Sequence, residues 1–461
     1  MALRSSLLAL SALSILAACA QTPKPEITAG PLPETWRAAI PETPATDAAA
    51  WWAAFADPTL DKLVREALTE NISVQQAALR ITQSRSQARA AIAGFAPRLS
   101  AEGSAAAQSE SNEGTPPASD AFGTASAGLG ASWEVPLFGR LDATIIGARA
   151  LEDGTKADLE AARVALVADL ADAYIALRVA QTQLSIQQET AARFERISTI
   201  AKERGAAGLV SPTDVASAQA SAADARRSLP DAQLAVSSSL DRIALLRGKA
   251  PGTADAELST PTPLTFLAPP ISSAPADLLR RRPDIRSAEA QTVQAAAAVG
   301  VARADLYPRV SIRGALSAAT SMFGPDFAST RPGSGSAAIS LPLFDYGQRM
   351  AAVDQRDAEL KIALLAYQAA ALRAIAEGQS ALASYSEGNK RLSAAVDGEA
   401  ASKKSATGTS RAYESGLVSM RERLQAETAF SQSRLATLGA QRELASASVA
   451  LYRAFAGSPP V

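Results

Sequence analysis

The stretch LPLFDYGQR, Leu341 to Arg349, runs an apolar strand into a proline, then a bulky pair, a glycine and a charged helix start. Nearly the same run occurs at VPLFGR, Val135 to Arg140. Outward from the two, the flanking patterns recur as well. After Pro97, Leu99, Ala101, Gly103, Ala105 and Ala107 alternate with polar residues; after a Ser/Pro/Gly-rich loop, Ala125, Ala127, Leu129, Ala131, Trp133, Val135 and Leu137 alternate again. Period two predicts a β-hairpin with one apolar face. After Pro308, Val310, Ile312, Gly314 and Leu316 repeat the pattern, and Ala337, Ile339, Leu341 and Leu343 supply a second strand. Pro136 and Pro342 lie 206 residues apart, Pro97 and Pro308 211, and Gly208 and Gly416 208. One unit of about 210 residues is therefore used twice.

Each junction opens a long helix. In the first, Leu159, Leu166, Leu170, Tyr174, Leu177 and Leu184 carry the pattern to about Arg204, a length on the order of 90 Å that suits a bundle rather than a globular core. A turn, GAAGLVSPTD, leads to a second helix from about Thr213 to Arg247. Before the first hairpin, Leu60, Leu63, Val64, Ala67 and Leu68 follow helical spacing from Asp57-Pro58, and one helical pattern is expected to run to about Phe95. Trp51 and Trp52 are expected to pack in a helical core rather than at a membrane interface. In RRPDIR, Pro283 and Asp284 suit a helix start without any substrate.

The bulk numbers exclude more than they select. Forty-five basic and 46 acidic residues nearly cancel, without a long basic run, so nucleic acid is not an expected partner. No His and one Cys remove the usual zinc ligands, the Ser-His and Cys-His nucleophile pairs and any intrachain disulfide. No P-loop, dinucleotide glycine pattern or G-x-S-x-G elbow occurs. The expectation is a protein that is not an enzyme, without metal or cofactor.

The single Cys19 follows Arg4 and an apolar stretch from Leu7 to Leu16, the order of a secretory signal. Leu16-Ala17-Ala18-Cys19 resembles the lipobox of bacterial lipoproteins, which implies an acylated Cys19; an ordinary signal peptide containing a Cys is the alternative. Ala20, where an Asp would retain such a protein, implies by the same resemblance sorting to an outer membrane. The expected organisation is a leader over 1–18, the acylated Cys and a Pro-rich linker over 19–50, a first repeat over 51–248, a Pro/Ser/Thr-rich equatorial connector over 249–275, a second repeat over 276–457 and a tail over 458–461.

Past the signal no run of 18 apolar residues exists, so a membrane crossing must use strands. One chain offers four, the smallest membrane barrels need about eight, and lipid forbids open edges. Three chains would supply twelve. Here WWAAFADPTLDKLVREAL, LLRRRPDIRSAEA, LYPRVS and LPLFDYGQR, in order along essentially the whole mature chain, resemble the TolC-like outer-membrane efflux proteins, specifically their lipid-anchored multidrug branch. The resemblance implies an α+β membrane protein: a homotrimer with a 12-stranded β-barrel, a long periplasmic α-helical barrel and two internal repeats per chain. It implies a passive exit duct in the outer membrane of a Gram-negative bacterium, partnered by a periplasmic adaptor, an inner-membrane efflux transporter and outer-membrane lipid. A duct for protein secretion and a lipid-anchored coiled-coil adaptor are the competing readings.

In that family the periplasmic tips of the helical hairpins close the duct and meet the adaptor. The matching tips are GLVSPTD, Gly208 to Asp214, and GLVSMRE, Gly416 to Glu422. Ser211 with Asp214, and Ser419 with Glu422, have capping-box spacing. The resemblance also implies a gate at Glu422 and Gln425, flanked by Arg421 and Arg423, because three copies of an inward carboxylate would form a cation-attracting ring. Capping alone accounts for Glu422 and ranks ahead of gating, though the two roles are compatible. Gly208, Leu209, Val210, Gly416, Leu417 and Val418 are the expected adaptor contacts, with packing between neighbouring hairpins as the alternative.

Overall fold

The computed structural model describes residues 24–31, 33–37, 48–112, 118–262, 281–323 and 329–455. The leader, Cys19, most of the linker, the end of the connector and the 458–461 tail lie outside the described residues. A 3-10 helix, Ala48–Phe55, precedes α1 (Pro58–Glu70) and α2 (Ile72–Ala93). Strands β1 (Arg98–Asn112) and β2 (Ala118–Glu134) lead into α3 (Arg140–Ala206), α4 (Pro212–Arg227) and α5 (Leu229–Leu246). The second series is α6 (Pro283–Ala304), β3 (Arg309–Phe323), β4 (Ser329–Thr330), β5 (Gly333–Ser340), α7 (Gln348–Glu414) and α8 (Met420–Phe455).

The repeat is tighter in structure than in sequence. Helices α2 and α6 both have 22 residues and are offset by 211; α3 and α7 both have 67 and are offset by 208. The hairpin obeys both shifts at once, since Arg98↔Ser132 recurs as Arg309↔Ser340. This revises the proline alignment. By pairing register and helix offset Pro342 occupies the place of Glu134 and Tyr346 that of Phe138, so the two PLF runs stand two residues out of step, and the junction backbones differ as well, since Tyr346 is left-handed (φ +52°) where Phe138 is not. Each junction still enters its helix through a left-handed glycine, Gly139 and Gly347.

Two compact units each draw on both repeats, the first around Arg80–Lys156 and Ser287–Gln368, the second around Ala29–Leu79, Ala157–Arg286 and Ala369 onward. In the first, all strands form one antiparallel sheet in which β2 pairs with β1 and β3, and β3 pairs with β4 and β5. β4 and β5 share one register against β3, with Pro332 between them accepting from the Ser317 amide, so they act as a single strand interrupted where proline has no N–H. One face carries exposed Leu99, Leu129, Leu316 and Ile339, while Ser100, Ser104, Ser126 and Arg313 line the other, where Ser104 and Ser126 hydroxyls lie 2.8 Å apart. No helix among the described residues is long and apolar enough to cross a membrane.

In the second unit, Trp51 and Trp52 are buried, and Trp51 stacks on Tyr452 with ring centroids 4.7 Å apart. The expected single helix from Pro58 to Phe95 is broken at Asn71. Its backbone N–H closes α1 onto Ala67, its Oδ1 accepts from the Val74 amide to cap α2, and its Nδ2 donates to the Leu246 carbonyl at 2.8 Å. The expected helix from Thr213 to Arg247 is likewise interrupted, at Ser228, because Pro230 in the first turn of α5 cannot donate to the preceding turn. The connector does not start as a free linker, for the Leu258 carbonyl accepts from Gln181 at 2.7 Å and the Thr260 carbonyl from Arg178 at 2.7 Å. Arg282 grips Asp284 and Glu377. Burial pushes the Asp284 carboxyl up, but the Arg282 hydrogen bonds and charge outweigh it and leave the group below its usual range.

Candidate functional site: the paired helix tips

Both tips are built by the same two local devices. At the end of α3 the Leu209 amide reaches back to the Arg204 carbonyl (2.9 Å) and the Gly208 amide to Gly205 (3.0 Å); at the end of α7, Leu417 reaches Ala412 (2.9 Å) and Gly416 reaches Tyr413 (3.0 Å). These are Schellman closures, and they require the left-handed φ of +74° at Gly208 and +73° at Gly416. Two residues on, a capping box starts the return helix. Ser211 Oγ accepts from the Asp214 amide at 3.1 Å, and Asp214 Oδ2 accepts from the Ser211 hydroxyl at 2.8 Å. Ser419 Oγ accepts from the Glu422 amide at 3.3 Å, while Glu422 Oε2 accepts from the Ser419 amide at 2.7 Å and hydroxyl at 2.8 Å. Those donations from the Ser419 backbone and hydroxyl hold the Glu422 carboxyl below its ordinary range.

The residues between the two devices divide by exposure. Leu209 and Leu417 are 73% and 79% exposed, whereas Val418 packs against a core made by Phe194, Ile197, Ala201, Ala218, Tyr413 and Leu424. Val210 is half-buried. That core joins the two hairpins of the chain, so its valine serves packing while the leucine beside it projects into solvent.

The four gate candidates do not stand together. Arg423 turns toward the core, its guanidinium 5.0 Å from the Tyr413 ring centroid, with Arg204 5.2 Å from the same ring. Both the Tyr413 hydroxyl and Arg423 Nε are buried without a hydrogen-bond partner among the described residues. Arg421 and Gln425 instead line a groove of about 330 Å³ between α4 and α8, with Thr213, Asp214, Ser217 and Thr428 along its walls. Glu422 is an exposed cap. Sequence reading missed Tyr413 and Arg204. The repeat held a signal for the former, because the 208-residue shift sets Tyr413 against Gly205 and Arg423 against Val215. Where one tip packs a valine onto a glycine, the other packs an arginine onto an aromatic ring.

A sheet with one apolar face, a duplicated strand-helix unit and paired hairpin tips define a class: subunits of membrane channels. The chain matches the family described as outer membrane efflux protein over residues 63–249 and 274–457, and it belongs to that family. It is 30% identical over 382 residues to the pyoverdine export outer membrane protein OpmQ of Pseudomonas aeruginosa, covering 81% of this chain and 80% of that protein. It is 28% identical over 458 residues to the probable efflux pump outer membrane protein TtgC of Pseudomonas putida, covering 96% and 93%. Among solved structures it resembles the outer-membrane channel OprN (TM-score 0.82, 30% identity, 95% and 99% covered) and the open state of the Neisseria gonorrhoeae MtrE outer membrane channel (TM-score 0.82, 25% identity, 95% and 98% covered). The chain is thus an exit duct for efflux, placed in the outer membrane and reaching into the periplasm.

Proposed function

We propose that three copies assemble into a 12-stranded barrel continued by a helical barrel, anchored by an acylated Cys19, and that this duct passively conducts small toxic compounds. An inner-membrane pump would deliver them through a periplasmic adaptor. One observation carries the reading: each chain has an apolar-faced sheet whose edges, β1 and β5, have no partner among the described residues, and such a sheet cannot sit in lipid unclosed. The names of the relatives, which speak of pyoverdine export and efflux pumps, support small-molecule cargo over secreted protein. Two hairpins in strict repeat tell against the adaptor reading.

At the tips, exposed Leu209 and Leu417 are the adaptor contacts, with the glycines setting the turn and Val210 and Val418 backing them. Glu422 and the groove residues Arg421 and Gln425 face the constriction, while Arg423 holds the tip from behind through Tyr413. Native mass spectrometry of detergent-extracted protein tests the assembly: a trimer of chains beginning at acylated Cys19 is expected, and a monomeric, unacylated species would overturn it. In cells, Leu417→Asp should abolish efflux with the trimer intact; normal drug resistance in that variant would remove Leu417 from the adaptor surface.

A further inference from the structure

We infer that the polar face of the sheet holds a binding site for small organic carboxylates, built on Arg98, Arg140 and Arg313 where β1, β2 and β3 meet the start of α3. The inference rests on the duct proposed above, in which this face lines the lumen. It adds a cargo class that such a duct would favour: anionic solutes with an apolar portion.

Pairing register gathers the charges. Arg98↔Ser132 and Ser132↔Arg313 set the two arginines in one row of the polar face with a serine between them. Two strand spacings put them roughly 10 Å apart at the backbone, within the joint reach of two such side chains. The next row brings Glu134 beside Ser311. That carboxylate is already held by Arg140, whose Nε and Nη2 donate to Glu134 Oε1 at 2.9 and 2.6 Å. These six residues line one cavity of about 340 Å³, at the small end of the range for small-molecule sites. Against three guanidiniums stands one carboxylate, so two positive charges remain uncompensated there.

The duplication shows that the fold does not need this charge. The 211-residue shift that carries α2 onto α6 carries Arg98 onto Arg309 and Gly94 onto Asp305. Arg309 is paired with Asp305 and lies outside the cavity. Arg98 meets a glycine at that place, and among the described residues neither it nor Arg313 has an ion-pair partner. The same shift sets Glu102 against Arg313, so the second charge is reversed between the repeats. Two like charges held at this spacing repel, and an anion between them removes the repulsion. Guanidinium forks match a carboxylate bidentately. Leu141 and Ala96 give the cavity an apolar wall, which a hydrocarbon group covers and inorganic phosphate leaves bare.

The test uses the full chain in detergent with 4-fluorobenzoate as probe, followed by fluorine NMR, and 4-fluorobenzamide as its neutral counterpart. Saturable binding of the benzoate alone is expected. It should weaken about tenfold when Arg98→Gln and Arg313→Gln are combined, and stay unchanged in Arg309→Gln. No binding by the unaltered chain, equal binding of the benzamide, or equal weakening in Arg309→Gln would overturn the site. Full displacement by equimolar inorganic phosphate would overturn its assignment to organic carboxylates. In planar bilayers under a gradient of sodium 4-fluorobenzoate, the benzoate-to-sodium permeability ratio should fall severalfold in the doubly substituted chain. An unchanged ratio with binding lost would take the site off the conduction path and overturn its role in cargo choice. The cavity lies within one chain, so binding by a species that native mass spectrometry finds monomeric would leave the site standing and overturn the assembly reading instead.

Discussion

Glu422 can be relieved of its charge without losing its place in the fold. Its Oε2 accepts from both the amide and the hydroxyl of Ser419, and a glutamine oxygen can accept the same two bonds, so Glu422→Gln should leave trimer stability almost unchanged. If three such carboxylates ring the constriction, cation selectivity in planar bilayers should fall in that variant. Unchanged selectivity would reduce Glu422 to a cap. The capping boxes were legible in the sequence because every atom involved lies within three residues. The partner of Arg423 was not, since Tyr413 sits on the other arm of the hairpin and only folding brings guanidinium and ring to 5.0 Å. Alternation along a strand or spacing along a helix cannot report such a pairing.

Between elements, the end of α5 and the start of the connector are tied to α1 by charge. Arg247 binds Glu66 and, at 2.9 Å, Glu257, while Lys249 reaches Glu66 at 3.1 Å and Lys62 reaches Glu257 at 2.6 Å. Burial raises the Glu66 carboxyl, but hydrogen bonds and charge from Arg247 and Lys249 outweigh it and hold the group below its ordinary value of 4.5. A depressed folded value means that the stabilisation is fully present above pH 4.5 and is lost as pH falls through the lower folded value. The thermal midpoint should therefore drop on acidification below that pH, and Glu66→Gln should flatten the dependence. Asn71→Ala removes the cap of α2 and the bond to Leu246, and should cost about 1–2 kcal/mol in denaturant unfolding. Element type was readable along most of the chain, but breaks were not equally so. Pro230 announces the interruption between α4 and α5, whereas Asn71 sits in an unbroken helical pattern, and its role there joins a local cap on Val74 to a bond with the distant Leu246 carbonyl that spacing cannot report.

For the whole molecule, the duplication was visible from two short junctions, yet their prolines mark the offset as 206 where the β2-to-β5 pairing and the long helices give 208. Side-chain likeness and backbone equivalence drifted apart by one period of the pleat, which keeps every apolar residue on the same face and so leaves no trace in the alternation. The two bare edges also have a genetic consequence. In the proposed ring of three there is no spare edge, so one faulty subunit would spoil the whole. A proline placed in β1 where the amide faces away from β2 would silence that edge while sparing the bonds to β2. Expressed at equal levels with the unaltered chain, such an allele would leave about one ring in eight free of it. Drug resistance should fall far below half, so that a defect recessive in most enzymes would be dominant here.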